Sequence, residues 1–139
     1  MAEQKINFCT GCGLCIYHDK PCPQKDDVEA IQQKMSAADL IVMATPVYFY
    51  SICAQLKMLI DRLCAYNEKM RGKPFGFIMT SEDGDPACMD RPLETFRGYL
   101  VCLKDVTERF VLRAAGVTHL GDAAKSPYME EAYELGKSL

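Results

Sequence analysis

The sequence predicts an α/β domain: a parallel sheet covered by helices on both faces. Three observations carry this expectation. The chain is 139 residues long, 49% hydrophobic and 25% charged, which suits one globular domain and excludes wholesale disorder or a fibrous repeat. Continuous apolar runs at residues 39–45 (DLIVMAT) and 74–80 (PFGFIMT) read as strands buried on both faces. Between and after them lie segments with apolar residues at helical spacing, and strands alternating with helices argue for a parallel sheet.

Taken in order, residues 5–8 read as a short strand leading into Cys9. Residues 9–23 have no apolar period and carry two Gly and two Pro, so they form a loop whose shape comes from something other than a core. Asp26 and Glu29 open a helix in which Val28, Ile31 and Met35 share a face, ending near Ala37. After the strand at 39–45 comes an aromatic loop at 46–50 (PVYFY). Ser51 then caps a helix with Ile52, Leu56, Leu59, Ile60 and Leu63 on one face and Lys57, Asp61 and Arg62 largely off it. The strand at 74–80 runs into a polar turn at 81–86. The next helix starts at Pro86 or Pro92, with Met89, Leu93, Phe96, Leu100 and Leu103 in phase. Residues 108–115 (ERFVLRAA) form a strand, and Ser126-Pro127 start the last helix. In such sheets ligands sit beyond the carboxyl ends of the strands. The chain divides into a Cys-rich segment at 1–25 and an α/β body at 26–139, within a single domain.

Eight cysteines, two His and no Trp make the one unusual count, while a net charge of −3 gives no pointer to nucleic acid or an anionic membrane. The polar start has no secretory pattern, and the longest uncharged run, residues 40–56, contains Pro46 and Gln55 and is a poor membrane span. The expectation is a cytoplasmic, reducing location, where clustered cysteines hold metal or do redox chemistry rather than form disulfides.

Cys9, Cys12, Cys15 and Cys22 follow the spacing C-x2-C-x2-C-x6-C, with Pro23 after the last. Two short gaps place three thiolates around one tight turn and the fourth arrives from farther along, as a [4Fe–4S] cluster requires. Gly11 and Gly13 permit positive φ beside it. Structural zinc is the rival, although it prefers two separate knuckles; cysteines that hold nothing are the third reading. His18 lies in the loop as a further candidate ligand or a solvated side chain. Tyr48, Phe49 and Tyr50 at a strand's carboxyl end offer faces for a planar ligand, or pack on the next helix. Cys53, Cys64 and Cys102 read as small core hydrophobes; Cys88 falls near a helix start, where the dipole favours a thiolate.

The Cys9–Cys22 run, Asp26-Asp27, residues 38–49 (ADLIVMATPVYF) and residues 55–62 (QLKMLIDR) together resemble the NADPH-dependent FMN reductase-like proteins of flavodoxin fold, and within them the iron–sulfur flavoproteins. Residues 114–117, 120–123 and 132–137 match more loosely, so the resemblance covers nearly the whole chain. It implies a flavodoxin-like three-layer αβα sandwich with FMN at the strand ends and electron transfer between flavin and cluster. Thr45, Pro46, Val47, Tyr48 and Phe49 would line the flavin ring, Thr80 and Ser81 would form a second flavin-side loop, and Cys9, Cys12, Cys15 and Cys22 would hold the cluster. The resemblance starts at the end of the family's second strand. The family's strand, phosphate-binding loop and helix that precede that point have no counterpart, so the fold is expected to be incomplete, and the turn carrying Glu82, Asp83 and Asp85 is acidic where relatives are often Gly-rich. The expected function is a flavin- and Fe–S-dependent oxidoreductase working with NAD(P)H or a redox partner protein. The alternative is a non-enzymatic Fe–S or zinc-binding subunit that complements a separate flavoprotein. The chain is expected not to be a monomer, because the edge of the 40–44 strand would be bare: a homo-oligomer is the first expectation and a complementing subunit the second.

Overall fold

The structure is a computed structural model that describes residues 3–139. Its elements run α1 (Leu14–Tyr17), α2 (Val28–Ala37), β1 (Ile41–Tyr48), β2 (Ser51–Ile52), α3 (Ala54–Leu63), β3 (Pro74–Thr80), α4 (Asp90–Val101), β4 (Thr107–Ala114), α5 (Asp122–Lys125) and α6 (Pro127–Lys137). The sheet order is β2-β1-β3-β4. β3 lies parallel to both β1 and β4, and only β2, a hairpin return at the end of β1, is antiparallel.

The core sits on one face of this sheet. Side chains alternate across a strand, so Ile41 and Met43 of β1 share a face with Phe75, Phe77 and Met79 of β3, all buried. Against them pack Leu56, Leu59 and Leu63 of α3 and Leu93 and Phe96 of α4. Phe77 stacks on Phe96 with ring centroids 4.5 Å apart, and Phe75 meets Tyr99 edge-on at 6.2 Å. These two aromatic pairs fix where α4 crosses β3.

The opposite face is less covered than the continuous apolar runs imply. Val42 is 45% exposed and Ala44 is also exposed. The physical reason is placement: α6 packs on β4, at the far edge from β1. On this face the Phe110 ring lies over Gly76, where an added Cβ would stand 2.3 Å from it. The outer edge of β1 is paired only at Val47 and Tyr48, so among the described residues its backbone from Ile41 to Pro46 has no strand on that side.

Several expectations change. Residues 5–8 form no strand; Lys5 and Asn7 instead donate their N–H groups to Asp27 and Asp26 at 2.7 and 3.0 Å. Ser51 is a strand residue rather than a cap, and Cys53, in extended conformation, occupies the N-cap of α3. Pro46, Val47 and Tyr48 belong to β1, because the strand runs three residues past 45 before the chain reverses at Phe49-Tyr50. The fourth helix starts at neither proline: Pro86 opens a 3-10 turn and the α-helix begins at Asp90. Asp85 caps a 3-10 turn at Pro86–Met89 by accepting the Ala87 N–H at 2.9 Å, and α4 follows from Asp90 with Pro92 in its first turn, where proline is tolerated.

Candidate functional site

The four cysteines of the N-terminal run come together. Cys9, Cys12, Cys15 and Cys22 line one cavity of about 350 Å³ with Arg62 and Cys64. Gly11 and Gly13 both have positive φ, 65° and 71°, and Gly13 opens α1, the single turn that carries Cys15. All eight cysteines are free thiols. Among the described residues, no three His, Cys, Asp or Glu side chains converge on one point as a single ion requires. His18 ends α1 and lies outside the cavity lining.

Arg62, expected largely off the apolar face of its helix, instead lines this cavity and pairs with Asp26 behind it. Arg62 is only 3% exposed. Its Nη1 donates to Asp26 Oδ2 at 2.6 Å and to the Asn7 carbonyl at 2.9 Å, and its Nη2 donates to Asp26 Oδ1 at 3.1 Å. Asp26 also accepts the N–H groups of Asn7 and Val28, so one carboxylate ties the Cys segment, the start of α2 and the end of α3 together. Burial pushes its carboxyl up, but the Arg62 hydrogen bond and the two amides outweigh this and hold it below the usual value. For Arg62, burial pulls the guanidinium down; the Asp26 hydrogen bond and the neighbouring Cys22 sulfur outweigh that and hold it above its ordinary value. Arg62 Nε is buried and has no acceptor among the described residues.

Two cysteines read as core residues are not. Cys102 is exposed, and Cys64 opens onto the cysteine cavity just after α3 ends. Burial, then the charge and hydrogen bond of Cys15, push the Cys64 thiol up. Spacing from the first four cysteines gave no hint of Cys64, because its proximity depends on where α3 docks. Cys53 is buried as expected.

The aromatic residues sit at the other end of α3, which is roughly 15 Å long. β1 and β2 are joined by a two-residue turn, Phe49-Tyr50, whose φ values are both positive, 50° and 58°. Such a turn normally takes Asn-Gly, and two aromatic residues in it store strain. The result is display: Phe49 is fully solvent-exposed and Tyr48 and Tyr50 are more than half exposed. Arg91 lies over the Tyr50 ring at 5.8 Å, a contact that the sequence reading missed. Val47, Phe49, Tyr50, Ser81, Glu82, Asp83 and Cys88 line a cavity of about 250 Å³ here. Thr45 is buried, with its hydroxyl accepting the Cys53 N–H at 2.9 Å. Pro46 and Thr80 are half-buried register partners at the sheet end. The Ser81 hydroxyl donates to the Asp83 carbonyl and accepts from the Cys88 thiol at 3.3 Å.

A parallel sheet with an aromatic turn at its carboxyl end and a cysteine cavity at the far end of α3 defines the class: a flavodoxin-like α/β domain carrying a cysteine-rich segment. The chain belongs to the NADPH-dependent FMN reductase family, whose model matches residues 2–98. An iron-sulfur flavoprotein of Archaeoglobus fulgidus is 32% identical over 88% of this chain and 50% of its own length. One from Methanocaldococcus jannaschii is 48% identical over 45% of this chain and 32% of its own. The chain thus spans half or less of the length of these curated relatives. Among solved structures, the Trp repressor binding protein from Bacillus subtilis superposes with a TM-score of 0.70 at 17% identity, covering 78% of this chain and 75% of that one, which shows the shared fold. No described helix is long and apolar enough to cross a membrane.

Proposed function

We propose that this chain is the cluster-bearing part of a flavin-dependent oxidoreductase and that Cys9, Cys12, Cys15 and Cys22 hold a [4Fe–4S] cluster. The observation that carries the reading is the cavity: four thiols around about 350 Å³, floored by a buried cation. Zinc draws four sulfurs to about 2.3 Å from one point; a cavity of this size suits a cluster that spreads them further. The names of the relatives, iron-sulfur flavoproteins, agree. When bound, the cluster supplies single-electron transfer and a flavin converts between hydride and single electrons.

The residues do the rest. Arg62 and Asp26 anchor the cysteine segment, and the Arg62 guanidinium lies beside a group whose thiolates would be anionic. Phe49, of the proposed ring-side set Thr45, Pro46, Val47, Tyr48 and Phe49 with Thr80 and Ser81, offers aromatic surface to a flavin ring, and Tyr50 beside it adds to that surface. Buried Thr45 acts through the backbone it holds, keeping the start of α3 beside the turn. These residues fit the ring. They fit a phosphate poorly, because Glu82, Asp83 and Asp85 rim the same end and repel it. The free edge of β1 favours a second copy of the chain or a complementing subunit in the working assembly.

Anaerobic reconstitution with iron and sulfide tests the reading. The expected result is about four irons per chain and a broad visible absorption that dithionite bleaches. Stoichiometric zinc uptake with no iron retained overturns it. Titration with FMN and riboflavin, followed by fluorescence quenching, tests the ring site separately.

A further inference from the structure

The buried Arg62 Nε–H has no acceptor in a cavity wall made of thiols. Both terminal nitrogens are committed: Nη1 to Asp26 and Asn7, Nη2 to Asp26. The bidentate grip on Asp26 fixes the guanidinium plane, so Nε cannot turn away to find a partner. It is sealed from solvent, so water does not satisfy it either. A stranded N–H on a charged group is costly, and such groups usually have a partner. Of the carboxylates on this wall, Asp61 is held by Lys57 at 2.6 Å. Cys22 shares the wall with Arg62 and is the cysteine whose sulfur neighbours its guanidinium.

We propose that Arg62 is a positioning residue for the fourth cysteine: its Nε–H donates to the Cys22 sulfur in the ligated state, fixing that ligand and raising the reduction potential of the cluster. The proposal rests on the cluster reading above. Its physical basis is that hydrogen bonds to ligand sulfur and nearby positive charge both stabilise the reduced, more negative state. It also accounts for a buried arginine rather than lysine at this point. A planar fork can grip Asp26 with one edge and still present a donor along the other, which a single ammonium cannot do.

The first test needs no variant. The full chain is labelled with 15N-arginine, reconstituted, reduced and examined by pulsed EPR. Arg62 is the arginine lining the cavity, so the expected result is a 15N coupling on the cluster signal. A cluster signal without that coupling overturns the proposal. The absence of any cluster signal overturns the cluster reading itself, which keeps the two failures distinct. In the second test Arg62→Lys is reconstituted and titrated. A negative shift in midpoint potential at unchanged iron content is expected, and an unchanged potential at full iron content overturns the proposal. Where the variant fails to fold, the labelled wild-type chain still decides.

Discussion

The cysteine segment and the α/β body are held by different forces. The body buries Leu63, Phe75, Phe77, Phe96 and Met79 to 0% exposure. Of described residues 3–27, none is fully buried, and the segment hangs on α2 and α3 through polar contacts centred on Asp26 and Arg62. Apolar burial makes the body one cooperative unit, while the segment is attached mainly at a polar joint. The difference teaches that this chain has one folding core and one largely polar appendage, and that the Asp26–Arg62 ion pair is the buried centre of the contacts joining them.

The strongest way to break the comparison is to remove the core beneath both regions. Phe77→Ala deletes a fully buried ring stacked on Phe96, at a cost of ~3–5 kcal/mol. Urea unfolding should show one earlier transition in which body and segment signals fall together. Separate transitions would mean that the segment folds independently.

Asp26→Ala cuts only the joint. It leaves a buried guanidinium without its carboxylate, a loss of about 3 kcal/mol. Limited proteolysis should shift to residues 9–25 while the body stays resistant; cleavage spread evenly over the chain would contradict an attached appendage. The same group gives a pH signature. Its folded pKa lies below the ordinary value of 3.8, so its contribution is present above that pH and drains away as pH falls below it towards the folded value. Stability measured between pH 6 and pH 3 should therefore fall more steeply in wild type than in Asp26→Asn.

The smallest expected effect sharpens the body's side. Replacing Phe49-Tyr50 with Asn-Gly relieves two left-handed aromatic residues and should stabilise the body by about 1 kcal/mol in thermal or urea melts. It should also weaken flavin quenching in titration. A variant with no gain in stability would show that the turn is not strained.

Much of the body was legible in the sequence. Residues 74–80 match β3 to the residue, because a continuous apolar run bounded by Pro and polar residues has one reading. Four cysteines on one cavity also followed from spacing, since short gaps constrain local geometry. Other features were hidden for physical reasons. The Phe49-Tyr50 turn breaks its local rule, and residues that violate a propensity cannot be found by it. Arg62 looked exposed because helical phase says nothing about a partner 36 positions away. Cys64 joined the cavity for the same long-range reason, and Val42 was exposed because sheet coverage depends on where α6 lands.

The Asp26–Arg62 link also sets an order of events during synthesis. The cysteines leave the ribosome first, and their anchor follows 36 residues after Asp26. At typical elongation rates of roughly 5–20 residues per second, this is a delay of about 2–7 s. Through that interval the thiols have neither floor nor wall, since both come from α3 and the turn after it. The metal centre proposed for these cysteines would therefore be completed only once α3 has been made.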